Sequence, residues 1–379
     1  QDAMVKFHGS QCGFCTPGFV MSLFSMFKNN KKYETELIKD SISGNLCRCT
    51  GYRPIIDAAK SLNKVQKKDQ FSKNSKKVIK LLKKINSKNI YINSKDRKFF
   101  SPKTIKDLKN IIRKNPNSNF LAGGTDLSLK VTKERKEIPC IVNLKEIKEL
   151  DFIKLNKNYL EVGAATSLIK FENKIKRYYP DFYSVLKRYG SVQIRSVGTI
   201  GGNIATASPI GDTLPILLSL NAEVLIEGIN KRKLVPINNF FISYRKTKLK
   251  KNEFIRSIKI PLFKKNIFKA FKISKRFDDD ISSICGSFNF EIINNKIKQA
   301  YIAYGGMAAV PKRAIACEEI LKNKLLTIKT FIKAKDYLEK DFMPIDDMRA
   351  SKEYRLEVAK NLLIKCFVEI NTKKLTRVI

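Results

Sequence analysis

Gln11-Cys12-Gly13-Phe14-Cys15-Thr16-Pro17-Gly18, answered by Cys47-Arg48-Cys49-Thr50-Gly51-Tyr52-Arg53-Pro54, sets four of the eight cysteines in two close pairs near one end of the chain. Each pair precedes a proline suited to the first turn of a helix. Thiolates at this spacing bind zinc as four ligands or hold an iron–sulfur cluster, with a disulfide as the other reading. Free N–H groups at a helix start and the positive end of its dipole favour thiolate and a net-negative cluster. Arg48 and Arg53 add positive charge. The setting suits a reducible cluster and does not exclude zinc.

Outward from that motif, 379 residues that are 43% hydrophobic and 29% charged describe a globular chain of two or three domains. No apolar run is long enough to span a bilayer, and the first residues do not read as a signal peptide. The expectation is a cytoplasmic protein with no membrane partner. The chain starts at Gln1 and reaches its first motif within a dozen residues, which reads as an N-terminally truncated fragment.

A formal charge of +40 raises the possibility of nucleic-acid binding. The lysines, however, are spread over almost every segment among Ile and Asn, which reads as solvated lysine faces. No nucleic-acid partner is expected; the densest clusters are 73–84 and 246–251. Cys140, Cys285, Cys317 and Cys366 are isolated in sequence and read as small buried hydrophobes. The single histidine, His8, reads as structural.

The fold class is α+β multidomain. Residues 1–65 form a small all-α domain, with helices through 19–27 (Thr16 as cap, Pro17 in the first turn), over 34–41 and from Pro54 onward. Residues 66–90, rich in Lys, Ser and Asn, read as a surface linker ordered at its ends, with one amphipathic piece at 78–85. Residues 91–262 form an α+β domain with strands at 118–122, 141–144 and 159–162 and helices at 166–175 and 182–189. In 263–379, strands at 268–273, 284–292 and 297–304, a hairpin turn at Asn294-Asn295, and helices at 315–321, 328–338 and 353–368 predict a small sheet covered by helices.

Two glycine-rich segments punctuate the middle domain: Leu121-Ala122-Gly123-Gly124-Thr125-Asp126-Leu127 and Ser196-Val197-Gly198-Thr199-Ile200-Gly201-Gly202-Asn203. Paired glycines after a strand let backbone N–H groups approach a pyrophosphate, and Thr125 can donate as well. The second loop leads through Gly211-Asp212-Thr213 into a helix. Neither loop is the Gly-x-Gly-x-x-Gly fingerprint of a Rossmann domain.

The two cysteine motifs resemble, in residue and spacing, the helical [2Fe–2S] domain of the molybdenum hydroxylases, the xanthine dehydrogenase and aldehyde oxidase family. The resemblance implies that Cys12, Cys15, Cys47 and Cys49 ligate the cluster nearest a molybdenum–pterin cofactor in a partner subunit, with Gln11 and Cys49 beside the pterin. The glycine loops resemble the diphosphate-binding loops of the family's FAD domain, of the vanillyl-alcohol-oxidase type. That implies FAD contacts from Leu121, Ala122, Gly123, Gly124, Thr125, Asp126 and Leu127, and from Thr199, Ile200, Gly201, Gly202 and Asn203. It also implies Asp212 at the adenosine end, Ile255 and Lys272 at the flavin, and Tyr189 packed on the cofactor. The Phe277-Asp278-Asp279-Asp280 run resembles the place where the family sets an acidic residue, here Asp279, near the flavin edge.

Within the family, the fusion of cluster and flavin domains and the Ser208-Pro209-Ile210-Gly211-Asp212 stretch look most like the small subunit of a xanthine dehydrogenase. The implied role is electron transfer from molybdenum in a large subunit through [2Fe–2S] to FAD and on to NAD, in a hetero-oligomer acting on purines. No residue of this chain is expected to act as catalytic acid or base. The family carries a ferredoxin-like domain ahead of the helical one, and these residues do not include it. The alternatives are an electron-transfer subunit of an aldehyde oxidase or other molybdenum hydroxylase, and a zinc-stapled basic nucleic-acid-binding protein.

Overall fold

The computed structural model describes residues 1–65, 69–85, 88–372 and 374–376. The chain forms two compact units: Gln1–Lys88 with Gly190–Ile194, and Asn89–Tyr189 with Arg195–Ile379. Residues 66–68 and 86–87 of the expected linker, and 373 and 377–379 of the expected last domain, lie outside the described residues.

In the first unit, helices Asp2–Lys6, Thr16–Asn29, Thr35–Ile42 and Arg53–Ser61 enclose one core. Phe19, Leu23 and Met26 recur at helical spacing on one face and pack with Tyr33, Ile38, Ile55 and Ala59. Withdrawing a side chain such as Phe19 from water stabilises the unit by about 2–3 kcal/mol. Pro17 falls in the first turn, where its missing N–H leaves no bond unmade. Cys15, not Thr16, occupies the capping position, and the Thr16 hydroxyl bonds Ser10 Oγ at 2.6 Å.

The middle of the expected linker is a helix, Gln70–Lys84, much longer than the 78–85 piece read from the sequence. Asp69 caps it by accepting from the Ser72 N–H at 2.8 Å, and Lys28 Nζ binds the same carboxylate at 2.8 Å. A capping residue and an ion pair from a distant helix thus start it eight residues earlier than the apolar pattern alone indicates.

Among the described residues, the second unit holds three sheets of four or five strands and a two-stranded pair, Phe241–Ser243 with Lys246–Thr247. One runs in the order Ile90–Ser94, Arg97–Ser101, Cys140–Asn143, Asn119–Leu121, antiparallel at its first pairing and parallel thereafter. The second is antiparallel, in the order Ile153–Leu155, Tyr159–Gly163, Phe254–Pro261, Glu223–Glu227, Arg232–Pro236. Several of these strands escape the sequence reading because lysines interrupt their alternation, as in Arg97-Lys98-Phe99-Phe100-Ser101.

The third sheet pairs Asn266–Ile273, Ile284–Ile293 and Lys296–Gly305 antiparallel, with a short edge strand Lys312–Arg313. Asn294 and Asn295 both adopt positive φ, 48° and 57°, as a two-residue hairpin turn requires. Ile284 to Phe290 is buried without alternation, because helix Thr213–Ser219 packs on this strand as well as helix Lys352–Thr372. The expected helix over 328–338 ends at Lys335, and a separate short helix, Leu338–Asp341, follows.

The expected second and third domains share this one unit. Ala270, Cys285 and Ala303 of the last sheet belong to the same core as Leu160, Phe171, Leu217 and Ile258. Among the described residues no helix is long and apolar enough to cross a membrane.

Candidate cofactor sites

The four cysteines of the first unit meet two by two. Cys12 and Cys49 place their sulfurs 3.5 Å apart, and Cys15 and Cys47 are hydrogen-bonding partners of each other. Among the described residues no three His, Cys, Asp or Glu side chains close on one ion position. Two pairs of thiolates suit two irons, each with two cysteines, better than one tetrahedral zinc.

The loop between Cys47 and the following helix turns through left-handed backbone at Gly51 and Tyr52, φ 66° and 68°. That turn brings the Thr50 hydroxyl to 3.2 Å and the Thr50 N–H to 3.4 Å from Cys47 Sγ, while Tyr52 OH accepts from the Cys47 N–H at 2.9 Å. The Thr50 hydroxyl, then its N–H, draws the Cys47 thiol down to about 7. The Phe14 N–H, then Cys49, lowers that of Cys12, whereas burial raises Cys15 and the bond with Cys12 raises Cys49. Each pair therefore contains one thiol readier to bind metal as thiolate.

In the second unit the two glycine loops are brought together. A Cβ added at Gly123 would stand 2.0 Å from Val197 O and 2.8 Å from Gly198 Cα, so the backbones touch where only glycine fits. Gly124 follows at φ 76°. The N–H groups of Gly123, Gly124 and Thr125 make no hydrogen bond among the described residues. Solvent-accessible donors without a protein partner, on a backbone bare of side chains, suit a diphosphate.

The second loop behaves differently. Arg195, just ahead of it, is buried against Glu172 at 2.8 Å. The Gly201 N–H goes to Ala164 O at 3.0 Å, and the Gly202 N–H to Thr199 Oγ1 at 3.1 Å, which caps helix Ile200–Thr206. Its glycines serve packing, since a Cβ at Gly201 would meet Ala164 Cβ at 2.5 Å. The donor-rich element is the first loop.

A chain of polar contacts gathers Tyr189, Asn203, Asp212 and Lys272. Asn203 Nδ2 donates to Tyr189 OH at 2.8 Å, and the Thr213 hydroxyl donates to Asn203 Oδ1. Asp212, next to Thr213, accepts from Lys272 Nζ at 2.8 Å and from the Ser282 hydroxyl. Lys272 Nζ also donates to Arg188 O at 3.0 Å. Burial pushes the Tyr189 hydroxyl well above its ordinary range. Asp212 and Lys272 thus form one buried ion pair.

The remaining residues are less drawn together. Ile255 lies in the core of strand Phe254–Pro261, against which helix Ile200–Thr206 packs. Leu121 ends a strand, Leu127 opens the short helix Leu127–Thr132, and Asp126 pairs with Arg245 at 2.8 Å. Asp279 sits exposed at φ 54°.

Three family models match in sequence. The [2Fe-2S] binding domain covers residues 1–60, the FAD binding domain in molybdopterin dehydrogenase 94–263, and the CO dehydrogenase flavoprotein C-terminal domain 269–370. The chain belongs to the molybdenum hydroxylase family. As a member it carries a [2Fe–2S]-binding and an FAD-binding domain, and the zinc-stapled reading gives way.

Among the chain's relatives, xanthine dehydrogenase from Emericella nidulans is 30% identical over 84% of the chain, and xanthine dehydrogenase 1 from Arabidopsis thaliana 28% identical over 98%. The chain spans about a third or less of their lengths, 28% and 32%. Carbon monoxide dehydrogenase from Hydrogenophaga pseudoflava shares the fold with TM-score 0.67 at 24% identity, over 72% of this chain and 96% of that one. Quinoline 2-oxidoreductase from Pseudomonas putida 86 does so with TM-score 0.67 at 20% identity, over 73% and 97%.

Sequence reasoning missed Arg188, Ser282 and Arg245. The Arg188 guanidinium binds Phe277 O at 2.7 Å and Lys272 O at 2.9 Å and stacks over the Phe277 ring at 4.3 Å. No local pattern marks such a residue, because its partners lie more than eighty positions away.

Proposed function

We propose that the chain is the electron-transfer part of a xanthine dehydrogenase, joined in a hetero-oligomer to a large molybdenum–pterin subunit and passing electrons to NAD during purine oxidation in the cytoplasm. The observation that carries this reading is the presence, on one chain, of a two-by-two thiolate set and a donor-lined glycine cradle. The match to xanthine dehydrogenase 1 over 98% of the chain takes in both features, whereas the two solved folds cover 72–73% of it. That difference favours the xanthine branch.

Cys12, Cys15, Cys47 and Cys49 would hold the cluster, and the first glycine loop would hold the FAD diphosphate through its free N–H groups. Tyr189, Asn203, Asp212 and Lys272 would shape the wall beside it. When bound, the cluster passes single electrons and the flavin exchanges them for a hydride. Exposed Phe14 and Leu46 flank the cysteines and offer an apolar contact for the molybdenum subunit.

The complete enzyme containing this chain is expected to form NADH from NAD with xanthine, and to lose that activity with Cys47→Ser. Oxidation of aldehydes but not xanthine would assign it instead to the aldehyde oxidase branch.

A further inference from the structure

The helix Gln70–Lys84 is exposed along its whole length and contributes no side chain to either unit's core. Its residues are segregated. Phe71, Val78, Ile79, Leu81, Leu82 and, at its end, Ile85 line one side, and each is about half exposed or more. Lys73, Lys76, Lys77, Lys80, Lys83 and Lys84 occupy the other, and no acidic side chain interrupts them. At 15 residues the helix is too short to cross a bilayer.

Among the described residues, the contacts that hold it lie at its first turn. Lys28 Nζ binds Asp69 and the Ser72 hydroxyl, each at 2.8 Å, and the Phe71 ring meets Phe24 edge-on at 5.3 Å between centroids. The later apolar residues, Val78 to Ile85, face solvent from a fixed starting point.

We propose that this helix lies on an anionic lipid surface, its apolar side in the headgroup–acyl boundary and its lysines among acidic headgroups. A cationic polar face opposite bulky aliphatic side chains, on a helix of low mean hydropathy, is what such a surface selects. A nucleic acid would use the lysines but leaves the apolar side uncovered. A protein groove would cover the apolar side without requiring that every charge on the helix be a lysine. The chain's charge of +40 adds attraction of the same sign. The sequence reading expects no membrane partner because no segment can span a bilayer, and a helix lying in the interface needs no span.

The test is sedimentation of the full chain with phosphatidylcholine vesicles, with and without phosphatidylserine. The expected result is salt-sensitive binding to the anionic vesicles alone, weakened by about tenfold or more in Val78→Glu/Leu82→Glu. Flavin and cluster absorption should be unchanged, because neither side chain belongs to a core. The chain has no tryptophan, so Leu82→Trp gives a clean reporter whose emission should shift to the blue on anionic vesicles. Equal sedimentation of wild type and Val78→Glu/Leu82→Glu, an unmoved Leu82→Trp emission, or retention on RNA or an acidic polypeptide in place of vesicles overturns the proposal.

Discussion

Lys272 Nζ lies 2.8 Å from Asp212 Oδ2, and both side chains are almost wholly withdrawn from solvent although sixty positions separate them. The pair joins the start of helix Thr213–Ser219 to strand Asn266–Ile273, a polar link beside the apolar core that the segments before and after residue 262 share.

Lys272→Met leaves the Asp212 carboxylate buried without its counter-charge. Loss of one partner of a buried pair costs about 3–5 kcal/mol, whereas replacing both is far milder. Urea unfolding should show a large drop for the single variant and a clear recovery in Lys272→Met/Asp212→Asn. Equal losses in the two would mean that the pair does not act as a unit.

Gly123→Ala drives a methyl group into Val197 O and should part the two glycine loops. The purified variant is expected to lose its flavin absorption bands and keep the broader iron–sulfur envelope. A Gly123→Ala protein with a full complement of FAD would show that the loops need not touch to hold it.

Serine in place of either Cys12 or Cys15 removes one thiolate from a different pair. Iron and sulfide analysis should show both variants depleted of cluster while the flavin stays bound, since the cysteines and the glycine loops belong to separate units. Thr50→Val removes the hydroxyl 3.2 Å from Cys47 Sγ without removing a ligand. Hydrogen bonds to cluster sulfurs stabilise the reduced, more negative state, so a redox titration should find the Thr50→Val potential more negative than wild type.

The bond from Lys28, followed by the Ser72 N–H, draws the Asp69 carboxyl down to about 2. A folded-state pKa below the unfolded value means the pairing contributes fully above the ordinary carboxylate range and is lost as pH falls through about 2. The Asp69 carboxyl carbon, followed by NMR, should titrate near 2, and Lys28→Met should move its midpoint up toward the ordinary value, about 3.9. An unchanged midpoint in Lys28→Met would assign the depression to the helix cap alone.

Much of this protein is determined by its sequence alone. The cysteine spacing and the prolines after it specify the small helical unit, because helix capping and apolar periodicity are local. The same locality makes the Asn294-Asn295 hairpin and the paired glycines legible, since only certain residues adopt positive φ or admit a touching backbone. The tertiary structure alone decided which cysteine pairs with which, that the first glycine loop keeps its donors while the second gives them to Ala164 and Thr199, and that Asp212 and Lys272 are one ion pair. Each of these depends on groups far apart in the chain that meet only after burial, and no periodicity or spacing records such a meeting in advance.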